Sequence, residues 1–258
     1  MRTITATDLR LWRGPHRTAE FCHARRKRDT ASTSIGRMVE AMLAEDEMHG
    51  ILVKRCSWST LEGKEEMRRI LAAIGADEPA KLSAAYVDAA IADAGYALVT
   101  EDDEARARRM AAAYRDWPGV PEACRWQVPY EQSQDEFTWV ARADMVASDG
   151  ALIELKCTHY SDARHILRHA LDDGWHVQLA LLAMLSGADD VRWHVISSTE
   201  PHMVYELIPS AEVMALGKIE VHTRTQELLT WYEQGCPVRR IGGTYMVTPG
   251  HAGPEEVT

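Results

Sequence analysis

Asp144, Glu154 and Lys156 stand at a spacing that could do phosphodiester chemistry, in the stretch Ala141-Arg-Ala-Asp-Met-Val-Ala-Ser-Asp-Gly-Ala-Leu-Ile-Glu-Leu-Lys156. Strand side chains alternate between faces, so Glu154 and Lys156 project one way while Ile153, Leu155 and Cys157 point into the opposite layer. Asp149-Gly150 is a strong hairpin signal, and a hairpin through it brings Asp144 beside Glu154. Two neighbouring carboxylates repel and raise one another's pKa, a penalty that a divalent cation removes. An oxygen-only donor set favours Mg2+ or Mn2+ over zinc. Such an ion polarises a phosphodiester oxygen and acidifies a bound water, while Lys156 orients that water or offsets charge on the phosphate. The plain alternative is a surface salt bridge on a solvated hairpin face, which is worth little.

These residues need a sheet backed by helices, and the hydrophobic periodicities supply one. Residues 33–48 place Ile35, Met38, Val39 and Met42 at helical spacing, with Glu40 near the apolar edge. Ser59-Thr60-Leu61-Glu62 has the capping-box form, and Met67, Ile70, Leu71 and Ile74 follow on one face up to Gly75. A further helix over 101–116 opens with acidic residues that suit its dipole. The period then changes to two. Trp126, Val128 and Tyr130 alternate with polar residues, and Phe137, Trp139, Ala141, Ala143 and Met145 share one face, opposite Arg142 and Asp144. Ala151–Lys156 is a third strand. Helices over about 161–171 and 175–186, strands around Val191–Val195 and Met203–Ile208, and a helix over about 210–233 complete the order. The fold class expected is α/β (α+β), a mixed central sheet flanked by helices with a helical N-terminal part. A single domain over 1–258 is expected, helical to about 118, with a sheet core over about 119–235 and a flexible tail over 236–258. Trp126, Trp139 and Trp193 are expected in the core rather than as base-stacking platforms.

Composition narrows the field. The chain is 46% hydrophobic and 26% charged, with mean hydropathy -0.30. No apolar run approaches the ~20 residues of a membrane span, and the first residues lack a signal-peptide layout, so a cytoplasmic protein with no membrane partner is expected. The five cysteines (Cys22, Cys56, Cys124, Cys157 and Cys236) form no CxxC, which argues against a disulfide framework, a zinc ribbon and an iron–sulfur cluster. GxGxxG and GxxxxGK[ST] are both absent. A net charge of -10 does not exclude nucleic acid, because binding follows local potential. Basic residues do cluster, at Arg25-Arg26-Lys27-Arg28 and at Arg106, Arg108 and Arg109.

The sequence resembles the PD-(D/E)xK nuclease superfamily, and within it RecE-type phage exonucleases, relatives of the lambda and YqaJ exonucleases. The likeness runs from about residue 4 to 235. It rests on an opening segment at Thr5–Leu11, Gly36-Arg-Met-Val-Glu40 with Leu43-Ala-Glu45, Gly63-Lys-Glu-Glu66, Arg142-Ala-Asp144, Leu152-Ile-Glu-Leu-Lys-Cys-Thr158 and Trp175-His-Val-Gln178. The resemblance implies a restriction-endonuclease-like core in αβββαβ order. It implies that Asp144, Glu154, Glu40 and the Leu155 carbonyl hold Mg2+, with Mn2+ as an alternative. Lys156 then matches the catalytic lysine and Gln178 the glutamine of a Q-x-x-x-Y motif. Two positions depart from the pattern: Glu40 stands where RecE-type members usually have His, and Leu182 where the motif has Tyr. Weaker candidates for contacts to DNA are Arg142, Thr158, Arg37, Arg164 and Arg168. The implied activity is a 5′→3′ exonuclease on linear double-stranded DNA in a phage-type recombination system, located in the bacterial host cytoplasm. Its implied partners are DNA, a single-strand annealing protein and further copies of the chain in a ring trimer or tetramer. Two rivals are a structure-specific or single-strand endonuclease on the same core, and a non-catalytic DNA-binding or assembly protein.

Overall fold

The computed structural model describes residues 2–18, 21, 31–45, 51–79, 81–94, 96–134, 136–240, 243–246 and 255–256. Strand β1 (Arg2–Thr5) runs directly into helix α1 (Ala6–Leu11), where Thr5 and Asp8 form a reciprocal capping box. Helix α2 (Ala31–Ala44), strand β2 (Ile51–Lys54), helices α3 (Leu61–Ala73) and α4 (Ala84–Asp93), strand β3 (Ala97–Thr100) and helix α5 (Glu101–Arg115) follow. Thr60 caps α3 and Thr100 caps α5, the latter with Asp103 closing a second capping box.

Next come β4 (Cys124–Ser133), β5 (Phe137–Ala147) and β6 (Leu152–Thr158), helices α6 (Ala163–Asp172) and α7 (Trp175–Ser186), strands β7 (Val191–Ser197) and β8 (Val204–Leu207), and α8 (Ala211–Glu233). The hairpin between β5 and β6 turns at Gly150, whose φ of 91° suits glycine. The basic run Arg25–Arg28 lies outside the described residues. The segment expected as a tail carries β9 (Pro237–Arg240), β10 (Gly243–Met246) and β11 (Glu255–Glu256), joined as antiparallel neighbours. Among the described residues no helix is long and apolar enough to cross a membrane.

The central sheet is mixed and runs β1-β5-β6-β7-β8, with β4 on the remaining edge of β5. β4 pairs antiparallel along almost the whole of β5, from Cys124↔Ala147 to Ser133↔Thr138. The other edge of β5 is shared. β1 takes Phe137–Val140 in parallel, and β6 takes Met145 and Val146 in antiparallel register with Ile153 and Leu152. Residues 141–144 therefore have no ladder partner on that edge, and Asp144 closes the gap. β6 and β7 pair in parallel, Leu152↔Val191 through Thr158↔Ser197.

One apolar layer gathers Leu9, Trp12, Leu179, Leu182, Val221 and Leu228 from α1, α7 and α8. A second gathers Met38, Val39, Met110 and Tyr114 from α2 and α5. A third, around Met67, Ile70, Leu71 and Val87, backs the small parallel β2–β3 sheet. Trp139 and Trp193 are buried, and Trp126 is half-buried against the second layer.

The expectation for β5 needs one correction. Phe137, Trp139, Ala141 and Ala143 lie in the first layer, but Met145 and Ala147 lie in the second. On β4 likewise, Val128 and Tyr130 pack on the first layer while Trp126 packs on the second. The pleat changes sense at Gln127 and Asp144, the one position skipped by the ladder between Trp126↔Met145 and Val128↔Ala143. Gln127 holds a left-handed φ of 53°, an uncommon conformation for a residue with a side chain.

Candidate active site

The inverted pleat explains how Asp144 reaches its place. Continuing the β5–β6 register would set Ala143 opposite Leu155 and bond their backbones. Instead the Leu155 N–H donates to Asp144 Oδ2 at 2.8 Å. A side chain thus stands in for the ladder, the strands part, and the Asp144 carboxylate sits in the opening. Glu154 and Lys156 project together, as strand alternation requires, toward α7.

Glu154 is fully buried. Its Oε2 accepts from Lys156 Nζ at 2.7 Å and from Gln178 Nε2 at 2.7 Å, and Lys156 Nζ also donates to Gln178 Oε1 at 3.2 Å. Gln178 is held there by α7, whose first turn starts at Gly174. Across the opening, the carboxyl of Glu40 from α2 is close enough to Asp144 for the two groups to act on one another's charge. Asp144, Glu154, Lys156, Gln178, Glu40 and the Leu155 backbone are therefore one group.

Burial dominates the electrostatics. It pushes Glu40 up to about 8, with the charges of Asp144 and Glu154 adding and Arg142 and Lys156 opposing. Burial, then the charge of Asp144, pushes Glu154 up to about 7, against the pull of Lys156. Asp144 is raised by burial as well, opposed by Lys156 and the Leu155 N–H. Burial works against the Lys156 ammonium, but Glu154 and Asp144 outweigh it and hold Lys156 charged.

Two carboxylate oxygens of this group, Glu40 Oε1 and Glu154 Oε1, are buried without a hydrogen-bond partner. Such orphans are costly and rare in folded proteins, and a hard cation is one group that satisfies them. Among the described residues, no three of His, Cys, Asp and Glu are already gathered as a ligand shell. Glu154 is paired with Lys156 instead, and Asp144 accepts from the Leu155 N–H. An all-oxygen donor set with orphaned oxygens fits a divalent cation, whose binding to these raised carboxyls releases protons.

The weaker candidates divide. Arg142 is exposed, and its charge acts on both Glu40 and Asp144. Arg37 is half-buried one turn before Glu40 on α2. Arg164 and Arg168 are exposed on α6. Thr158 is 5% exposed, and its hydroxyl accepts from the Tyr160 N–H at 3.3 Å. Leu182, at the tyrosine position of the motif, is fully buried in the first layer and packs rather than touching a ligand.

Sequence reasoning missed Gln127. It lies at the gap in the β4–β5 ladder that also holds Asp144, has the left-handed φ, and has a buried Oε1 with no partner. Nothing in the sequence marked it, because Gln127 stands in the polar phase of the alternation with Arg125 and Glu131.

No family model matches this chain, and neither does any curated protein. The chain is similar to the crystal structure of a "Putative exonuclease" from Eubacterium rectale, with a TM-score of 0.57 at 9% identity over 91% of this chain and 82% of that one. It also overlaps the crystal structure of SSO0001 at 12% identity, over 79% of this chain and 90% of that one; the TM-score of 0.30 carries no argument. The first of these similarities shows the fold: a nuclease-like α+β fold with a mixed central sheet flanked by helices.

Proposed function

We propose that this chain is a metal-dependent deoxyribonuclease that hydrolyses linear double-stranded DNA as an exonuclease, with 5′→3′ polarity. The observation that carries the reading is the buried Glu154, bonded through one oxygen to Lys156 and Gln178 and orphaned at the other, beside Asp144 and Glu40. In this reading Asp144, Glu154, Glu40 and the Leu155 carbonyl hold Mg2+, or Mn2+ in its place. The ion supplies Lewis acidity toward a phosphodiester oxygen and an acidified water. Lys156 stays protonated between two carboxylates and offsets charge that develops on the phosphate. Gln178 fixes the rotamers of both Glu154 and Lys156, so the ammonium holds its place without reorganisation. The polarity and the preference for linear duplex rest on the resemblance to RecE-type exonucleases, as do the annealing partner and the ring of copies.

The test is digestion of linear and covalently closed duplex DNA, with Mg2+ or EDTA, beside Lys156→Ala. We expect metal-dependent loss of the linear form alone, lowered at least about 100-fold in the variant, in the range seen for removal of one preorganised transition-state donor. Cutting of the closed circle replaces the exonuclease with an endonuclease. No digestion with either Mg2+ or Mn2+ refutes the catalytic reading.

A further inference from the structure

Three arginines, Arg10, Arg13 and Arg224, crowd the junction of α1 with the start of α7. Two of them are engaged with the backbone. Arg13 donates to the Asp172 carbonyl, and Arg224 donates to the Leu9 carbonyl at 2.8 Å and the Arg10 carbonyl at 3.3 Å while pairing with Glu220. The half-buried Arg10 guanidinium makes none of the hydrogen bonds or ion pairs among the described residues, although its carbonyl is held by Arg224.

Two observations place Arg10 at the site. First, α1 leaves β1 at Thr5, which pairs with Val140, so the helix emerges where the unpaired stretch of β5 leading to Asp144 begins. Second, the Arg10 stem lies over Gly174, where an added Cβ would meet Arg10 Cγ at 3.6 Å and the Arg10 carbonyl at 3.3 Å. Gly174 and Gln178 are one turn apart on the same side of α7, and Gln178 holds Glu154 and Lys156. The charges acting on Arg10 are Asp173, Arg13 and Glu154, while Glu154 and Lys156 both feel Arg10 in return. Asp173 itself pairs with His169 at 3.2 Å.

We propose that Arg10 is a phosphate-binding residue of this site, its open guanidinium receiving a non-bridging oxygen of the DNA backbone next to Glu154 and Lys156. The inference rests on the nuclease reading above and adds to it a substrate contact from outside the sheet. A guanidinium suits the task because it stays charged when half-buried and presents a planar fork of donors to a phosphate. Gly174 lets the Arg10 stem and the Arg224 guanidinium lie close against the start of α7.

The experiment compares wild type, Arg10→Met, Arg10→Lys and Lys156→Ala. Duplex binding is measured by fluorescence anisotropy in EDTA across a salt series, with Mg2+-dependent digestion and thermal unfolding alongside. For Arg10→Met we expect affinity in EDTA to fall about tenfold and the log–log salt slope to flatten by about 0.9, the value of one duplex phosphate contact. Its kcat/KM should fall roughly 10–100-fold, the range of one charge-assisted hydrogen bond, with Tm unchanged. Arg10→Lys should keep the salt slope and lose part of the rate. Unchanged affinity and slope in Arg10→Met overturn the proposal, and a fall in Tm with unchanged binding reassigns Arg10 to packing. Should Arg10→Met fail to fold, a flattened slope in Arg10→Lys, which keeps the charge, also overturns it. Wild type that binds but never digests DNA refutes the nuclease reading alone, and the salt slope still judges Arg10.

Discussion

The two faces of the β6–β7 pair handle charge in opposite ways. On one face, Glu154 and Lys156 are bonded together, with Asp144 in the gap beside them and Glu40 acting on it from α2 in the other layer, and one oxygen each of Glu154 and Glu40 is left unbonded. On the other, a network has its side-chain groups matched. Tyr114 Oη and His194 Nδ1 are hydrogen-bonded at 2.7 Å, and His194 Nε2 lies 3.4 Å from Glu206. Glu206 accepts from Arg192 at 3.0 Å, and Arg192 also donates to Asp190 at 2.8 Å. His194 pairs in register with Leu155, the neighbour of Glu154, so the two groups are separated by little more than the thickness of the sheet. A matched network fixes a structure, and an unmatched one holds binding capacity in reserve. Evenly good packing over the same two strands would have left nothing for a ligand to satisfy.

The comparison can be broken most directly with a divalent cation. At 100 times its Kd, Mg2+ should stabilise the protein by about 2.7 kcal/mol, read as a rise in Tm over an EDTA control. An equal rise in Asp144→Asn with Glu154→Gln would place the ion elsewhere. Next in size is Tyr114→Phe, which strands His194 Nδ1 in the core. It should cost about 1–3 kcal/mol by urea unfolding while leaving DNA digestion unchanged. A loss of digestion would mean the two faces are coupled.

The two faces should also differ in the sign of their pH dependence. Glu40 and Glu154 are raised from 4.5 to about 8 and about 7 in the folded chain, so it binds more protons there than the unfolded chain. Their contribution is complete below pH about 4.5 and is lost as pH rises through about 7 to 8. His194 is lowered from 6.5 by burial and Asp190 from 3.8 by the Arg192 hydrogen bond, so the network's contribution is present above those ordinary values and is lost as pH falls below them through the lowered ones. Glu40→Gln should therefore remove part of the alkaline slope in EDTA, stabilise the metal-free protein by about 1 kcal/mol above pH 8, and reduce the Mg2+ response. A titration of Tm against pH, with and without Mg2+, reads all three. The smallest effect expected is in Gln127→Gly, which relieves a left-handed backbone and should gain about 0.5–1 kcal/mol. A simultaneous fall in digestion would assign the Gln127 amide a part in the site.

Much of this arrangement was legible because its signals are local. Alternation along residues 152–157 sets Glu154 and Lys156 on one face, and Asp149-Gly150 sets the hairpin, where Asp149 Oδ1 accepts the Ala151 N–H at 3.0 Å. Helical spacing put Glu40 at the edge of an apolar face. What escaped depends on distant partners. β1 is four residues that become a strand only because β5 offers them an edge 135 positions away, as the Arg2↔Phe137 register shows. The pleat inversion was hidden because an alternating strand reads alike in either phase. Arg10 reads like any basic residue in a helical turn; that its guanidinium lacks a partner among the described residues shows only beside Arg13 and Arg224.

The inversion at Gln127 and Asp144 also bears on how the molecule comes apart. One half of β5 anchors the layer around Leu179 and Val221, and the other half anchors the layer around Met38 and Met110. A strand that serves both layers cannot leave one and stay in the other, so the two should behave as a single cooperative unit. In native-state hydrogen exchange, the amides of Ala141 and Met145 should share one opening free energy. The cluster around Met67 and Val87 draws nothing from β5 and is free to open by itself. The residues that set up the chemistry thereby also hold the two layers together.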